Sequence, residues 1–164
     1  MEYWDVLDSN RNLTGKTVLR GNPLKQDEYH LVVHVWIKNS KNQFLISKRT
    51  PNKSYPGMWE TTGGSAVSGD DSLKTALKET LEELGLKLES HKGEIIFQMK
   101  RSTHPDFLDV WLFEQEVDLN TLKFQHDEVS AARWVDKEEI KKMILTGKFV
   151  PVFDYLDDLF KRYS

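Results

Sequence analysis

The sequence predicts an α/β fold, and three observations carry that prediction. Residues 30–37 (HLVVHVWI), 43–48 (QFLISK), 93–101 and 107–117 are runs rich in β-branched, apolar and aromatic residues, the character of strands. Between the second and third runs, residues 71–84 place Leu73, Leu77, Leu81 and Leu84 at the spacing of one buried helical face. Two more helical segments, about 137–145 and 152–162, finish the chain. With 164 residues and 38% hydrophobic content, the chain is long enough to enclose a core as one domain over residues 1–164.

In chain order, residues 4–8 and 17–20 read as short strands around the Ser9-Asn10-Arg11-Asn12 turn, with Thr14-Gly15 easing the return. They predict an N-terminal hairpin over about residues 1–22. The polar turn 38–42 (KNSKN) joins two stronger strands, which are expected to pair antiparallel. Residues 51–59 are loop-like, with Pro51, Pro56 and Gly57, and residues 60–62 lead in extended form into Gly63-Gly64. A Gly69-Asp70 turn enters the long helix and Gly85 closes it. Residues 132–135 form a last short strand, and no internal repeat or low-complexity segment is present.

Composition removes several functions. The net charge of −3 gives no overall electrostatic reason to bind a nucleic acid polymer or an anionic membrane, whereas a small diphosphate remains allowed. The chain has no cysteine, so disulfides, thiolate metal sites and thiol nucleophiles are excluded. The N-terminus lacks a basic-then-apolar signal pattern, and no stretch approaches the roughly 20 apolar residues of a membrane span. A cytoplasmic location is therefore the default expectation.

The most informative segment runs Gly64, five residues, Asp70, seven residues, Lys78-Glu79, Glu82-Glu83, Gly85 and Leu86. A helix turns about 100° per residue, so Glu79, Glu82 and Glu83 share one sector. Carboxylates that close repel one another, and a hard cation such as Mg²⁺ or Mn²⁺ relieves the repulsion. An isolated acidic cluster is ordinarily a solvated helix face. Here the flanking glycines fit a strand, loop and helix wrapped around a ligand instead.

This spacing closely resembles the Nudix box, and residues 64–86 fill almost every fixed position of it. The Lys48-Arg49 pair, the Pro56-Gly57-x-Trp59 lead-in and Trp134-Val135 are also similar to that family. The resemblance implies an α/β/α sandwich with a mixed sheet and a metal-dependent hydrolase of a diphosphate bond. It implies that Glu79, Glu82 and Glu83 hold Mg²⁺ or Mn²⁺ with a backbone carbonyl of Gly63. The catalytic candidates are Glu82 and Glu83 within the box and Glu128 outside it, in a loop where relatives place an acidic residue. Three positions depart from the pattern: Asp70 stands for Glu, Lys78 for Arg, and Thr80 for an apolar residue. Lysine keeps the charge of arginine and loses its planar fork.

Lys48, Arg49 and Lys53 are candidates to meet substrate phosphate oxygens, with solvated surface cations as the other reading. His30 and His34 would sit about 13 Å apart on one strand, too far to share an ion, which points to packing or hydrogen bonding. Trp36, Phe97, Phe107 and Trp111 offer either a base-stacking surface or core aromatics. The flanks, Trp4-Asp5-Val6 and residues 30–36, resemble type 1 isopentenyl-diphosphate isomerases. Those enzymes need a cysteine and a histidine where this chain has Gly63 and Ser65. A hydrolase is thus preferred, with an isomerase-like enzyme or a catalytically silent Nudix ligand-binding domain as alternatives. An exchanged hairpin or a paired sheet edge would support a homodimer.

Overall fold

The computed structural model describes residues 1–101 and 103–164. Strands β1 (Tyr3–Leu7) and β2 (Leu13–Leu19) form the N-terminal hairpin as an antiparallel pair. Strands β3 (His30–Lys38), β4 (Phe44–Arg49), β5 (Trp59–Glu60), β6 (Thr62–Ser65), β7 (Gly93–Arg101), β8 (Asp106–Glu114) and β9 (Val129–Val135) make one sheet. Its order is β5-β4-β3-β8-β7, with β6 on β3 and β9 on β4. The sheet is mixed, because β3 and β8 run parallel from His30↔Asp106 to Lys38↔Glu114 while the other pairs are antiparallel.

Alternation along the strands builds two cores. Val33, Val35, Ile37, Trp111 and Phe113 pack on the face covered by α1 (Ser72–Leu84). Trp36, Leu108, Val110 and Leu112 point the other way, toward α2 (Lys137–Leu145) and α3 (Leu156–Tyr163). Successive side chains on a strand take opposite faces, so one sheet feeds both cores and yields an α/β/α sandwich. Among the described residues, no helix is long and apolar enough to cross a membrane.

Three local expectations change. Strands β3 and β4 do pair antiparallel, but they meet in register at Lys38↔Phe44 and then part. Beyond that point β9 and β5 take the backbone of β4, and β6 takes that of β3 between Val32↔Ser65 and Val35↔Thr62. In α1, Leu84 is buried and Leu73 and Leu77 pack partly buried on the same core as expected, but Leu81 is 52% exposed, and Thr75, Ala76 and Thr80 complete the buried row. Small residues there bring helix and sheet close, and the buried Thr80 hydroxyl is satisfied by donating to the Ala76 carbonyl at 2.8 Å. The last helix starts at Leu156 rather than 152. The preceding coil is held by the Trp59↔Phe149 bridge and by burial of Phe149, Val150, Phe153 and Tyr155.

Local signals set the ends of α1. The Asp71 side chain accepts from the Lys74 amide at 2.8 Å, and Gly85 closes the helix at φ 65° with its amide on the Leu81 carbonyl. Several contacts fasten the N-terminal hairpin to the rest of the chain. Leu7 and Tyr29 exchange backbone bonds of 2.7 and 2.9 Å, and Asp5 accepts from the Ser68 hydroxyl and the Gly69 amide. Arg11 reaches the fully buried carboxylate of Asp109, which also accepts from Gln98 at 3.1 Å. Removing the Arg11 cation strands a buried charge. Arg11→Ala is therefore expected to cost about 2–3 kcal/mol, the low end of the range because Arg11 is itself one-third exposed. Adding Asp109→Asn is expected to restore part of that loss. Urea unfolding of the two single variants and the double variant measures both effects.

Candidate active site

The splay of β3 from β4 makes room for β6, and β6 carries the diglycine. A Cβ on Gly64 would lie 2.6 Å from the Glu79 Cδ, so glycine is what lets this carboxylate approach the strand. A Cβ on Gly63 would lie 2.4 Å from the Val33 carbonyl oxygen. One residue earlier, the Thr62 hydroxyl donates to Glu83 at 2.5 Å. Helix α1 and strand β6 thus hold Glu79 and Glu83 between them.

Burial, then the charges of Glu82 and Glu2, push Glu79 up to about 7, with Arg20 and Lys78 opposing. Burial pushes Glu83 up to about 8; the Thr62 bond opposes this, and Glu79 and Glu60 add to it. Glu82 is exposed. The three box carboxylates share a side of the helix without converging: among the described residues, no three acidic, histidine or cysteine groups close on one point. Thr62 holds Glu83 toward β6, while Glu82 faces solvent. Their chemistry suits a divalent cation, because all donors are hard oxygens and because burial and like charge oppose the ionised forms of Glu79 and Glu83. The Gly63 carbonyl belongs to a residue with no side chain to cover it.

The two charge-bearing departures from the box meet each other. Lys78 lies 3.1 Å from one Asp70 oxygen and Lys74 lies 3.0 Å from the other. Burial raises the Asp70 carboxyl, and the two ammonium groups outweigh it and leave Asp70 lowered. The expected basic residues are engaged in different ways. Arg49 grips both oxygens of Glu60 at 3.0 and 2.9 Å and donates to the Ser54 carbonyl at 2.6 Å. Lys53 pairs with Glu128, and the Lys48 ammonium stands 6.0 Å from the centre of the Trp59 ring. Glu128 is tethered near β4 by the Thr50 amide donating to its carbonyl.

Glu60 was not singled out by its sequence, yet it lies within the electrostatic reach of Glu83, Lys53 and Glu128. Burial raises its carboxyl despite the Arg49 grip. The available signal was the Trp59-Glu60 step just before the diglycine. Glu2 and Arg20, paired at 2.7 Å, bring the hairpin's charges to Glu79, and no local pattern announces that long-range contact. His30 stacks on Trp4 with ring centres 3.8 Å apart. His34 Nδ1 lies 2.7 Å from the Tyr155 hydroxyl, which also takes the Trp36 indole N–H at 2.8 Å. Trp36, Phe107 and Trp111 are core residues, and Phe97 packs half-buried against the same cluster as Trp36.

The site is thus a set of helix-borne carboxylates facing a diglycine strand inside an α/β/α sandwich. The NUDIX domain family model matches residues 28–153. The chain is 41% identical over 162 residues to a Nudix hydrolase of Listeria monocytogenes, covering 98% of this chain and 94% of that protein. It is 33% identical to a segment of Nudix hydrolase 3 of Arabidopsis thaliana, covering 87% of this chain and 20% of that one. The crystal structure of DR0079 from Deinococcus radiodurans is similar in fold, with a TM-score of 0.77 at 23% identity and coverage of 99% and 100%. The chain belongs to the Nudix family, and its named relatives are hydrolases.

His34 offers a pH test of the packing beside this site. Burial, and secondarily Arg101, lower its imidazole from 6.5 to about 3. The unfolded chain takes up a proton near pH 6.5 that the folded chain refuses. The stability this group contributes is therefore present above about pH 6.5 and is lost as pH falls toward 3. Between pH 7 and 5, wild type is expected to lose up to about 2 kcal/mol more than His34→Gln, as read from urea midpoints.

Proposed function

We propose that this protein is a metal-dependent pyrophosphohydrolase that cleaves a diphosphate bond in a nucleoside diphosphate-linked or related small molecule. The observation that carries the reading is the placement of Glu79 and Glu83 against Gly64 and Thr62, with Glu82 beside them. Glu79, Glu82, Glu83 and the Gly63 carbonyl are the proposed ligands of Mg²⁺ or Mn²⁺. When bound, such a cation neutralises phosphate oxygens and lowers the pKa of a water. Glu82, Glu83 and Glu128 are the candidates to take the proton from the attacking water. For Glu128 that role requires release from Lys53, which would then be free to meet a phosphate oxygen. Lys48 is the other proposed phosphate contact. Arg49 acts through Glu60, holding that carboxylate beside Glu83.

The isomerase-like alternative is disfavoured by sterics as well as by composition. Position 63 has no room for the Cβ of a cysteine, since the Val33 carbonyl occupies that space. The silent-domain alternative is disfavoured by a full set of box carboxylates.

In a panel of nucleoside diphosphate-linked and related diphosphates assayed with Mg²⁺ or Mn²⁺, at least one compound is expected to be cleaved. Chelation with EDTA is expected to stop the reaction, and a panel with no metal-dependent product would overturn the proposal. Glu83→Gln is expected to lower kcat by about 10²–10⁴ while the melting temperature holds, because Gln can still bond Thr62. Activity of that variant near wild type would remove Glu83 from the catalytic set.

A further inference from the structure

We propose that His34 is a substrate-binding residue whose Nε2–H, beside Gly63, donates a hydrogen bond to a phosphoryl oxygen of the diphosphate. The inference rests on the diphosphate reading above and adds a contact outside the box, on the other face of the strand.

The hydrogen-bond chain fixes where the proton sits. An indole N–H only donates, so Trp36 gives its proton to the Tyr155 oxygen at 2.8 Å. Tyr155 is buried, and the acceptor within reach of its own proton is His34 Nδ1 at 2.7 Å. The reverse assignment, with Nδ1 donating, would orphan the Tyr155 proton in the core at a cost of about 1–3 kcal/mol. The proton of neutral His34 therefore lies on Nε2. That atom makes no hydrogen bond among the described residues. It is also not one of their enclosed unpartnered atoms, which are Trp4 Nε1 and His30 Nδ1.

Position gives this donor a use. His34 pairs with Gly63 across β3 and β6, and its Cδ2, the ring atom bonded to Nε2, lies 3.4 Å from the place of a Gly63 Cβ. The next residue, Gly64, turns its bare side to Glu79. Consecutive strand residues face opposite sides, so the diglycine has the box carboxylates on one side and the His34 edge on the other. Among the described residues β6 pairs with β3 and with no other strand, which leaves its second edge free for a ligand to span both sides. The His34 face then continues into a cavity of about 470 Å³ lined by Val32, Ser65, His30, Trp4 and Arg101. That space suits the organic arm of a diphosphate compound.

The test uses the full chain, Mg²⁺ and methylenediphosphonate as a non-hydrolysable probe. In ¹⁵N NMR of labelled histidine, free wild type is expected to show His34 protonated at Nε2, and the probe is expected to move that resonance. By calorimetry, His34→Gln is expected to weaken the probe about tenfold or more, the effect of losing a hydrogen bond to a charged acceptor, while its Mg²⁺ affinity stays unchanged. Tyr155→Phe keeps the imidazole but frees its tautomer, and a smaller loss is expected. With a cleaved substrate in hand, KM is expected to rise more than kcat falls in His34→Gln. Probe binding within twofold of wild type in that variant would overturn the inference. So would probe-induced shifts at the Gly63 and Gly64 amides of wild type with none at His34 Nε2. If wild type with Mg²⁺ binds no probe at all, the diphosphate reading fails and the His34 contact falls with it.

Discussion

Close approach at the diglycine is the constraint on which the site depends. Strand β6 is wedged between β3 and α1 so tightly that a Cβ at either residue would enter another group: the Val33 carbonyl at position 63, the Glu79 carboxylate at position 64. A side chain at 63 would require the β3 backbone to move, and one at 64 would drive the Glu79 carboxylate away from the strand. The same wedge separates β3 from β4 after Lys38↔Phe44 and brings Thr62 to Glu83. Fold and chemistry therefore share one steric condition. The backbone geometry that excludes a thiol at residue 63 is the geometry that brings carboxylates to the strand.

That arrangement opposes stability on its own terms. Glu79 and Glu83 are partly withdrawn from water and repel each other, and both respond by holding protons more tightly than ordinary carboxylates. The surroundings offset the strain unevenly. Glu83 has a hydroxyl donor in Thr62, whereas among the described residues it is the charges of Arg20 and Lys78 that oppose the shift of Glu79. The cost is borne by two apolar cores and by the hairpin, pinned through Arg11 and Asp109. A region in which packing and one hydroxyl bond hold like charges together is a part of the fold where a cation gains by binding.

Local signals were legible and non-local ones were not. The Gly69-Asp70 turn, Gly85 and the box spacing placed α1 and its acidic sector within a residue of where they lie, because each depends on the chain within one or two turns. Leu81 was misplaced because the leucine spacing fits one stripe, while close packing on the sheet selects the smaller Ala76 and Thr80 instead. The β3–β4 divergence, the Arg11–Asp109 pin and the reach of Glu2 and Arg20 to Glu79 join residues far apart in the chain, and no window of sequence contains both partners. Arg49 illustrates the same limit. Its charge was visible, but its partners were not: Nη1 donates to both oxygens of Glu60, eleven residues on and on the neighbouring strand, and Nε and Nη2 donate to Ser54.

The departures from the box pattern carry their own logic once the geometry is known. Aspartate at 70 is one methylene shorter than glutamate, and lysine at 78 is a flexible point charge in place of a planar fork. Taken singly, each would leave its partner position weakly engaged. Together they make contact at 3.1 Å, and Lys74 from the first turn of the helix supplies a second ammonium at 3.0 Å to the other oxygen. Two lysines thereby do at Asp70 what a single bidentate arginine could do, and neither is drawn into the carboxylate face. Lys78 still tempers Glu79 through space. The charge balance around Glu79 thus sets Lys78 and Arg20 against Glu82 and Glu2, so the lysine at 78 serves the Asp70 contact and the carboxylate face at once.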